Sequence, residues 1–101
     1  MTYAPRKIIL PATPLVQQES FRVQRNDIDY NNHVNNAQYI RMALEYLPED
    51  FQVGGLRVDY RKPVLPGSII TPGIAYGANA AYVVLAVEET ACCVVEFSAL
   101  G

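Results

Sequence analysis

Hydrophobic positions along this chain change period twice, and the changes divide it into a short strand, a helix and a sheet. From Glu19 the segment ESFRVQR alternates, with Phe21 and Val23 on one side and Arg22 and Gln24 on the other, which predicts a strand. Val34, Ala37, Tyr39, Ile40, Ala43, Leu44 and Leu47 then recur mostly at the three- and four-residue spacing of a broad helical stripe, and Pro48 ends it. Beyond Gly54 and Gly55 the period drops to two, through LRVDYRKPV, SIITPGIAYG, AYVVLAVEE and ACCVVEFSAL. The breaks at Leu65-Pro66-Gly67, Gly77-Ala78-Asn79 and Glu89-Thr90 are short enough for antiparallel hairpins, and Pro72-Gly73 is expected to mark a bulge.

Strand, helix, four strands is the order of an α+β domain, an antiparallel sheet of about five strands wrapped around one long helix. Val34, Ile40, Leu44 and Leu47 are expected to face the sheet. Upstream, Pro5, Pro11 and Pro14 surround the apolar run Ile8 to Leu10, so residues 1–17 read as a linker-like arm and 18–101 as a single domain. No internal repeat or low-complexity segment interrupts the pattern.

Composition narrows the function classes. At 101 residues the chain is one domain, near the lower end of the size at which a core holds unaided. Half of it is hydrophobic and its formal charge is only -2, which fits a globular protein, and the lack of a basic patch argues against nucleic acid as a partner. No apolar run approaches the roughly 20 residues of a membrane span, and the first residues lack the regions of a signal peptide, so a cytoplasmic protein is expected. Cys92 and Cys93 are neighbours in a predicted strand, where their side chains should point to opposite faces and a disulfide between them would be strained. They read as small core residues in a reducing compartment.

The stretch DIDYNNHVNNAQY, residues 27–39, gathers two acids, a run of amides and the only histidine. Asp27, Asp29 and Asn31 resemble the opening of a calcium loop, but Asn32 stands where its sixth-place glycine belongs and Gln38 where its bidentate glutamate belongs. One histidine with no second His or thiolate nearby does not make a zinc site, so neither a metal nor a cofactor is expected. Two readings remain. Asn31, Asn32, Asn35 and Asp27 suit a polar helix entrance, whose free N–H groups short polar side chains can cap. Alternatively, Asp29, Asn31 and His33 alternate, so an extended lead-in sets them on one side as a candidate active site, with His33 arriving where helix N–H groups point outward.

NDIDYNNHVNNAQYIRMALEYLP resembles the acyl-acyl carrier protein thioesterase family, whose second repeat carries Asp-x-Asn-x-His-Val-Asn-Asn-x-x-Tyr running into a helix that ends Leu-Glu-x-x-Pro. Asp29, Asn31, His33, Val34, Asn35, Asn36 and Tyr39 match, followed by Leu44, Glu45 and Pro48. The resemblance covers roughly residues 19–100, and RKIILP is similar to the segment joining the family's two hotdog repeats. It implies a hotdog fold and hydrolysis of fatty acyl thioesters to free fatty acid and carrier thiol, in fatty acid biosynthesis, with an acyl carrier protein as partner. The chain would correspond to the catalytic second repeat, with Asp29, Asn31 and His33 catalytic and Asn35, Asn36, Tyr39 and Arg61 binding substrate. It departs from the plant-type pattern at Tyr60-Arg61-Lys62-Pro63-Val64, where those members carry Tyr-Arg-Arg-Glu-Cys. YRKPVLPGS is instead similar to a strand and turn of acyl-CoA thioesterases in the same superfamily, which leaves the carrier open between acyl carrier protein and coenzyme A.

Thioester hydrolysis needs an oxygen nucleophile, a group to manage its proton and donors for the oxyanion. Asp29 can activate water or attack directly, Asn31 and His33 can orient and donate, and N–H groups at the helix start can hold the oxyanion. Ser20, Ser68 and Ser98 sit in no nucleophile elbow. Arg57, Arg61 and Lys62 read as a solvated strand face or as a grip on phosphopantetheine or on carrier acids. A non-catalytic acyl-thioester binder and a hotdog β-hydroxyacyl dehydratase remain as alternatives. One hotdog repeat by itself leaves a sheet edge uncovered, so a homodimer through sheet pairing is expected.

Overall fold

β-branched and aromatic residues crowd the second half of the chain, and there the long strands form. The computed structural model describes residues 8, 10, 14–24 and 36–100. Two short strands, β1 (Val16–Gln17) and β2 (Phe21–Arg22), precede the helix α1 (Asn36–Leu44) and the strands β3 (Val53–Tyr60), β4 (Ile69–Gly77), β5 (Ala80–Val87) and β6 (Thr90–Ala99). The sheet runs β1-β4-β5-β6-β3, with β2 also on β4, and every pairing is antiparallel. The element order is the expected one, with β1 added.

Two of the three expected hairpins form, and the third break, at Leu65-Pro66-Gly67, joins no hairpin because β5 and β6 lie between β3 and β4 in the sheet; each break turns by its own chemistry. Pro66 and Gly67 form the centre of a turn closed by Ser68 N–H to the Leu65 carbonyl (3.3 Å), and Gly67 at φ 78° supplies the left-handed residue. Asn79, at φ 58°, does the same between β4 and β5. Glu88 and Glu89 link β5 to β6 with φ of 50° and 68°, the pair of positive angles that suits a two-residue hairpin but costs side chains other than glycine or asparagine.

The strand register sorts side chains between two faces. Ile70, Ile74, Val83, Leu85, Cys93, Val95 and Phe97 face α1, which buries Tyr39, Met42 and Ala43 against them. α1 is nine residues, shorter than expected, and tightens into three-residue turns from Glu45 to Leu47 before Pro48. The expected stripe was drawn too wide. Leu44 is 46% exposed, one 100° step past Ala43, and Ile40 is half-buried, while Tyr46 and Leu47 pack at the margin. Val34 lies outside the described residues.

Two further expectations are corrected. Pro72-Gly73 makes no bulge, because the β4–β5 register runs unbroken from Thr71 to Gly77. The Pro72 carbonyl accepts from Gln18 N–H at 2.8 Å, so its backbone faces the break between β1 and β2, where a missing N–H leaves the β4–β5 ladder intact. Register shifts lie instead at Val53/Gly55 in the β3–β6 pair and at Leu85/Ala86 in the β5–β6 pair, the latter opposite Cys92. The bulge at Cys92 sets it beside Cys93 in the cluster facing α1 rather than on the opposite face.

The outer face carries Val84 and Val94, and Ile8 closes over both, only 2% exposed, with Leu10 beside it. Ile8 N–H donates to Asp59 Oδ2 at 3.0 Å, and Arg61 donates from Nη2 to the Ile8 carbonyl at 3.1 Å and from Nε to Asp59 Oδ2 at 3.0 Å. The run read as linker thus contributes a core residue. Ile8→Ala is expected to cost about 2–5 kcal/mol, against less than about 0.5 for Val16→Ala on exposed β1. Urea unfolding of the two variants checks this, and equal midpoints would contradict the anchoring of Ile8.

Candidate active site

The approach to the site is built by α1 and the loop after β3. Asp29, Asn31, His33 and Asn35, and with them Asp27, lie outside the described residues. Asn36 opens α1, so the polar stretch leads directly into the helix start. One turn further, the Tyr39 hydroxyl accepts the Val64 N–H at 3.1 Å, and its ring lies 5.7 Å from that of Tyr60 at 55°. These contacts fix the start of α1 over the sheet end where β3 finishes. Burial raises the Tyr39 phenol above its ordinary range, so it stays protonated at neutral pH. Val64 is buried, and its N–H would be left unsatisfied without that hydroxyl.

Arg61 lies on the other face of the sheet from Tyr39, held by Asp59 and the Ile8 carbonyl. On that face too, Arg57 donates to Glu96 at 2.7 Å and holds its carboxyl below the usual range, while the hydrogen bond to Glu96 raises the Tyr82 phenol. Arg57 and Arg61 are therefore engaged within the domain.

Two open cavities are formed among the described residues near these elements. One, of about 280 Å³, lies between β2 and the helix, floored by Phe21, Met42 and Tyr46 with Arg22 and Arg41 at its rim. The other, of about 200 Å³, lies between the β3–β4 loop and the β5–β6 hairpin and is lined by Lys62, Val64, Leu65, Ser68, Thr90 and Cys92, among others. Sequence reasoning missed this second cavity. Periodicity carries no signal for a loop, and only the apolar Val64 between Pro63 and Pro66 hints at burial there.

Burial pushes the Cys93 thiol up to about 12, which keeps it a neutral core group. Among the described residues, no group of three or more His, Cys, Asp or Glu side chains is placed to hold a metal. No described helix is long and apolar enough to cross a membrane.

Residues 13–89 match the family model described as the acyl-ACP thioesterase C-terminal domain. Among solved structures the chain is similar to an acyl-ACP thioesterase from Bacteroides thetaiotaomicron, with a TM-score of 0.79 and 18% identity over 96% of this chain and 42% of that one. It is also similar to an oleoyl thioesterase (putative) from Lactobacillus plantarum, at 0.75 and 25% over 100% of this chain and 44% of that one. A thioesterase from Thermus thermophilus, solved with coenzyme A and zinc, aligns at 0.62 and 22% over 81% and 78%. No curated protein matches the sequence. The chain thus spans less than half the length of the first two structures, and it shares the hotdog fold with all three.

Tyr39→Phe is expected to cost about 1–3 kcal/mol by stranding the buried Val64 N–H. It should also speed amide exchange at Val64 more than at β5. Unchanged exchange there would show that the hydroxyl does not hold the loop.

Proposed function

Since the chain belongs to the acyl-ACP thioesterase family, matching its C-terminal domain, we propose that it hydrolyses fatty acyl thioesters to free acid and carrier thiol in fatty acid biosynthesis. The observation that carries this is the Asp29-x-Asn31-x-His33-Val34-Asn35-Asn36 string ending at the first residue of α1. A helix start presents N–H groups to the chain that enters it, which suits an oxyanion forming beside a nucleophile. In this reading Asp29 activates water or attacks the carbonyl carbon, Asn31 and His33 orient and donate, and Asn35, Asn36 and Tyr39 shape the substrate's surroundings, while Arg61, on the opposite face, holds the Ile8 cover in place of the substrate contact expected of it. The cysteines take no chemical part, as the protonated, buried Cys93 supports. Two adjacent free thiols suit the cytoplasm, where we place the protein.

The carrier is acyl carrier protein in this proposal, with acyl-CoA as the second substrate. Mixing the protein with acyl-carrier protein, acyl-CoA and β-hydroxyacyl thioesters, and following free thiol against enoyl product, tests it. Thiol release supports hydrolysis, enoyl product would mean a dehydratase, and binding without either would mean a pure binder. Asp29→Asn should lower hydrolysis at least 100-fold, ~2.7 kcal/mol of barrier, and His33→Ala should lower it too, while Cys92→Ala and Cys93→Ala keep normal turnover. Dead cysteine variants beside a fully active Asp29→Asn would sink the assignment.

We assign the outer edge of β3 to a second copy of the chain. β3 is the last strand in the sheet order and carries Val53, Leu56 and Tyr60 exposed, an edge soluble proteins seldom leave open. Light scattering should give twice the 11.2 kDa chain mass at micromolar concentration. A monomer mass that stays constant as concentration rises would rule the dimer out.

A further inference from the structure

β3 ends in a segment that is held from both faces of the sheet. Asp59 and Arg61 belong to the outer face, where Asp59 Oδ2 accepts the Ile8 N–H at 3.0 Å and Arg61 Nη2 donates to the Ile8 carbonyl at 3.1 Å. Tyr60, between them, pairs with Cys93 and turns to the opposite face, where its ring lies 5.7 Å from that of Tyr39. The β3–β6 ladder stops at that pair. Beyond it the Cys92 carbonyl accepts the N–H groups of Arg61 and Lys62, at 2.8 and 3.1 Å, and the Val64 N–H reaches the Tyr39 hydroxyl. Tyr39 is thus gripped at its ring and at its hydroxyl by the same segment, Asp59 to Val64, that grips Ile8 through the other face of the sheet.

We propose that Asp59 and Arg61 are positioning residues for the helix start, carrying the docked state of the Ile8 arm through the end of β3 to Tyr39 and α1. The inference rests on the hydrolytic reading above, which sets the chemistry beside the first turn of α1, and adds what holds that turn in place. α1 packs mainly on β5 and β6, so Tyr39 is its tie to the end of β3. The arm has the two discrete arrangements that such coupling needs. Its far end is fastened, because Val16 and Gln17 pair with Ile74 and Gly73 on β4 and Leu15 packs over Gly73, its Cβ 3.4 Å from where a side chain there would begin. Ile8 can therefore leave and rejoin its clamp as a local opening, at high effective concentration and without global unfolding. Asp59 and Arg61 stay paired with each other at 3.0 Å when it leaves, but the backbone peptide that fixes the pair against the sheet is gone. The end of β3 is then released on its outer side, and the Tyr60 ring and the Val64 N–H loosen on the inner one. Coupling of this kind is reciprocal, so loosening Tyr39 also frees the arm.

Amide hydrogen exchange and steady-state kinetics on the full chain test this together. Arg61→Gln should speed exchange at Val64 about fivefold or more while β5 keeps its rate, and should lower kcat by a similar factor with KM unchanged. Arg61→Lys, which keeps a cation near the Ile8 carbonyl, should recover most of both, and Arg57→Gln, which breaks the Glu96 ion pair on the same face, should change neither. Tyr60→Leu, on the inner face, should in return speed exchange at Ile8. Unmoved exchange at Val64 in Arg61→Gln, an acceleration that includes β5, an equal effect of Arg57→Gln, or an Ile8 amide indifferent to Tyr60→Leu would overturn the proposal. A raised KM at constant kcat would overturn it too, by returning Arg61 to direct contact with substrate. Selective loosening of Val64 in a protein that releases no thiol would sink hydrolysis and leave the coupling standing. Turnover that ignores Arg61→Gln beside unchanged exchange would do the reverse.

Discussion

The middle of this sheet is apolar on both faces, and everything else in the domain answers to that. Val83 and Leu85 point one way along β5 and Val84 the other, and the same alternation runs through Cys93, Val94 and Val95 on β6. A two-faced apolar sheet must be covered twice. α1 covers one face with Tyr39, Met42 and Ala43, and Ile8 with Leu10 covers the other. The second cover buries the Ile8 peptide along with its side chain, and the polar groups of that peptide would be costly to bury unpaired. Asp59 and Arg61 meet the N–H and the carbonyl of Ile8, so the charged end of β3 makes burial of that peptide tolerable.

One extra residue in β6 links this packing to the candidate site. By setting Cys92 beside Cys93, the bulge thickens the apolar layer under α1 and turns the Cys92 carbonyl toward the chain leaving β3. Arg61 and Lys62, adjacent in sequence, thereby serve different faces. A side chain bound to the outer network and one lining a cavity emerge from a single local irregularity.

Much of the fold was legible because it is written in period. The four long strands, the helix and the Phe21/Val23 face appear where alternation and helical spacing put them, and the Pro66-Gly67 turn has the residues its angles require. The failures share a cause. Bulges leave no trace in a two-residue period, so Pro72-Gly73 looked like one and Cys92 did not. The width of a helical stripe depends on what it packs against, which is why Leu44 looked buried. Ile8 reads as linker because three apolar residues between prolines carry no period, although the all-apolar Val83-Val84-Leu85 run asks for something on the outer face. At the site, the Asp29-to-Tyr39 string was readable as chemistry, while the Tyr39–Val64 bond and the cavity beside it depend on where a loop returns, which no local pattern encodes.

The clamp on Ile8 also determines where this domain can be separated from any longer chain. Cutting at residue 18, where the sequence pattern sets the start of the domain, would remove β1, strip Ile8 and Leu10 from Val84 and Val94 and leave Asp59 and Arg61 without the peptide they hold. The trimmed protein would present an apolar strip in the centre of its sheet, a surface prone to self-association during expression. The usable boundary lies upstream of Ile8, so the segment that looks like a tether in sequence travels with the sheet as part of its folding unit.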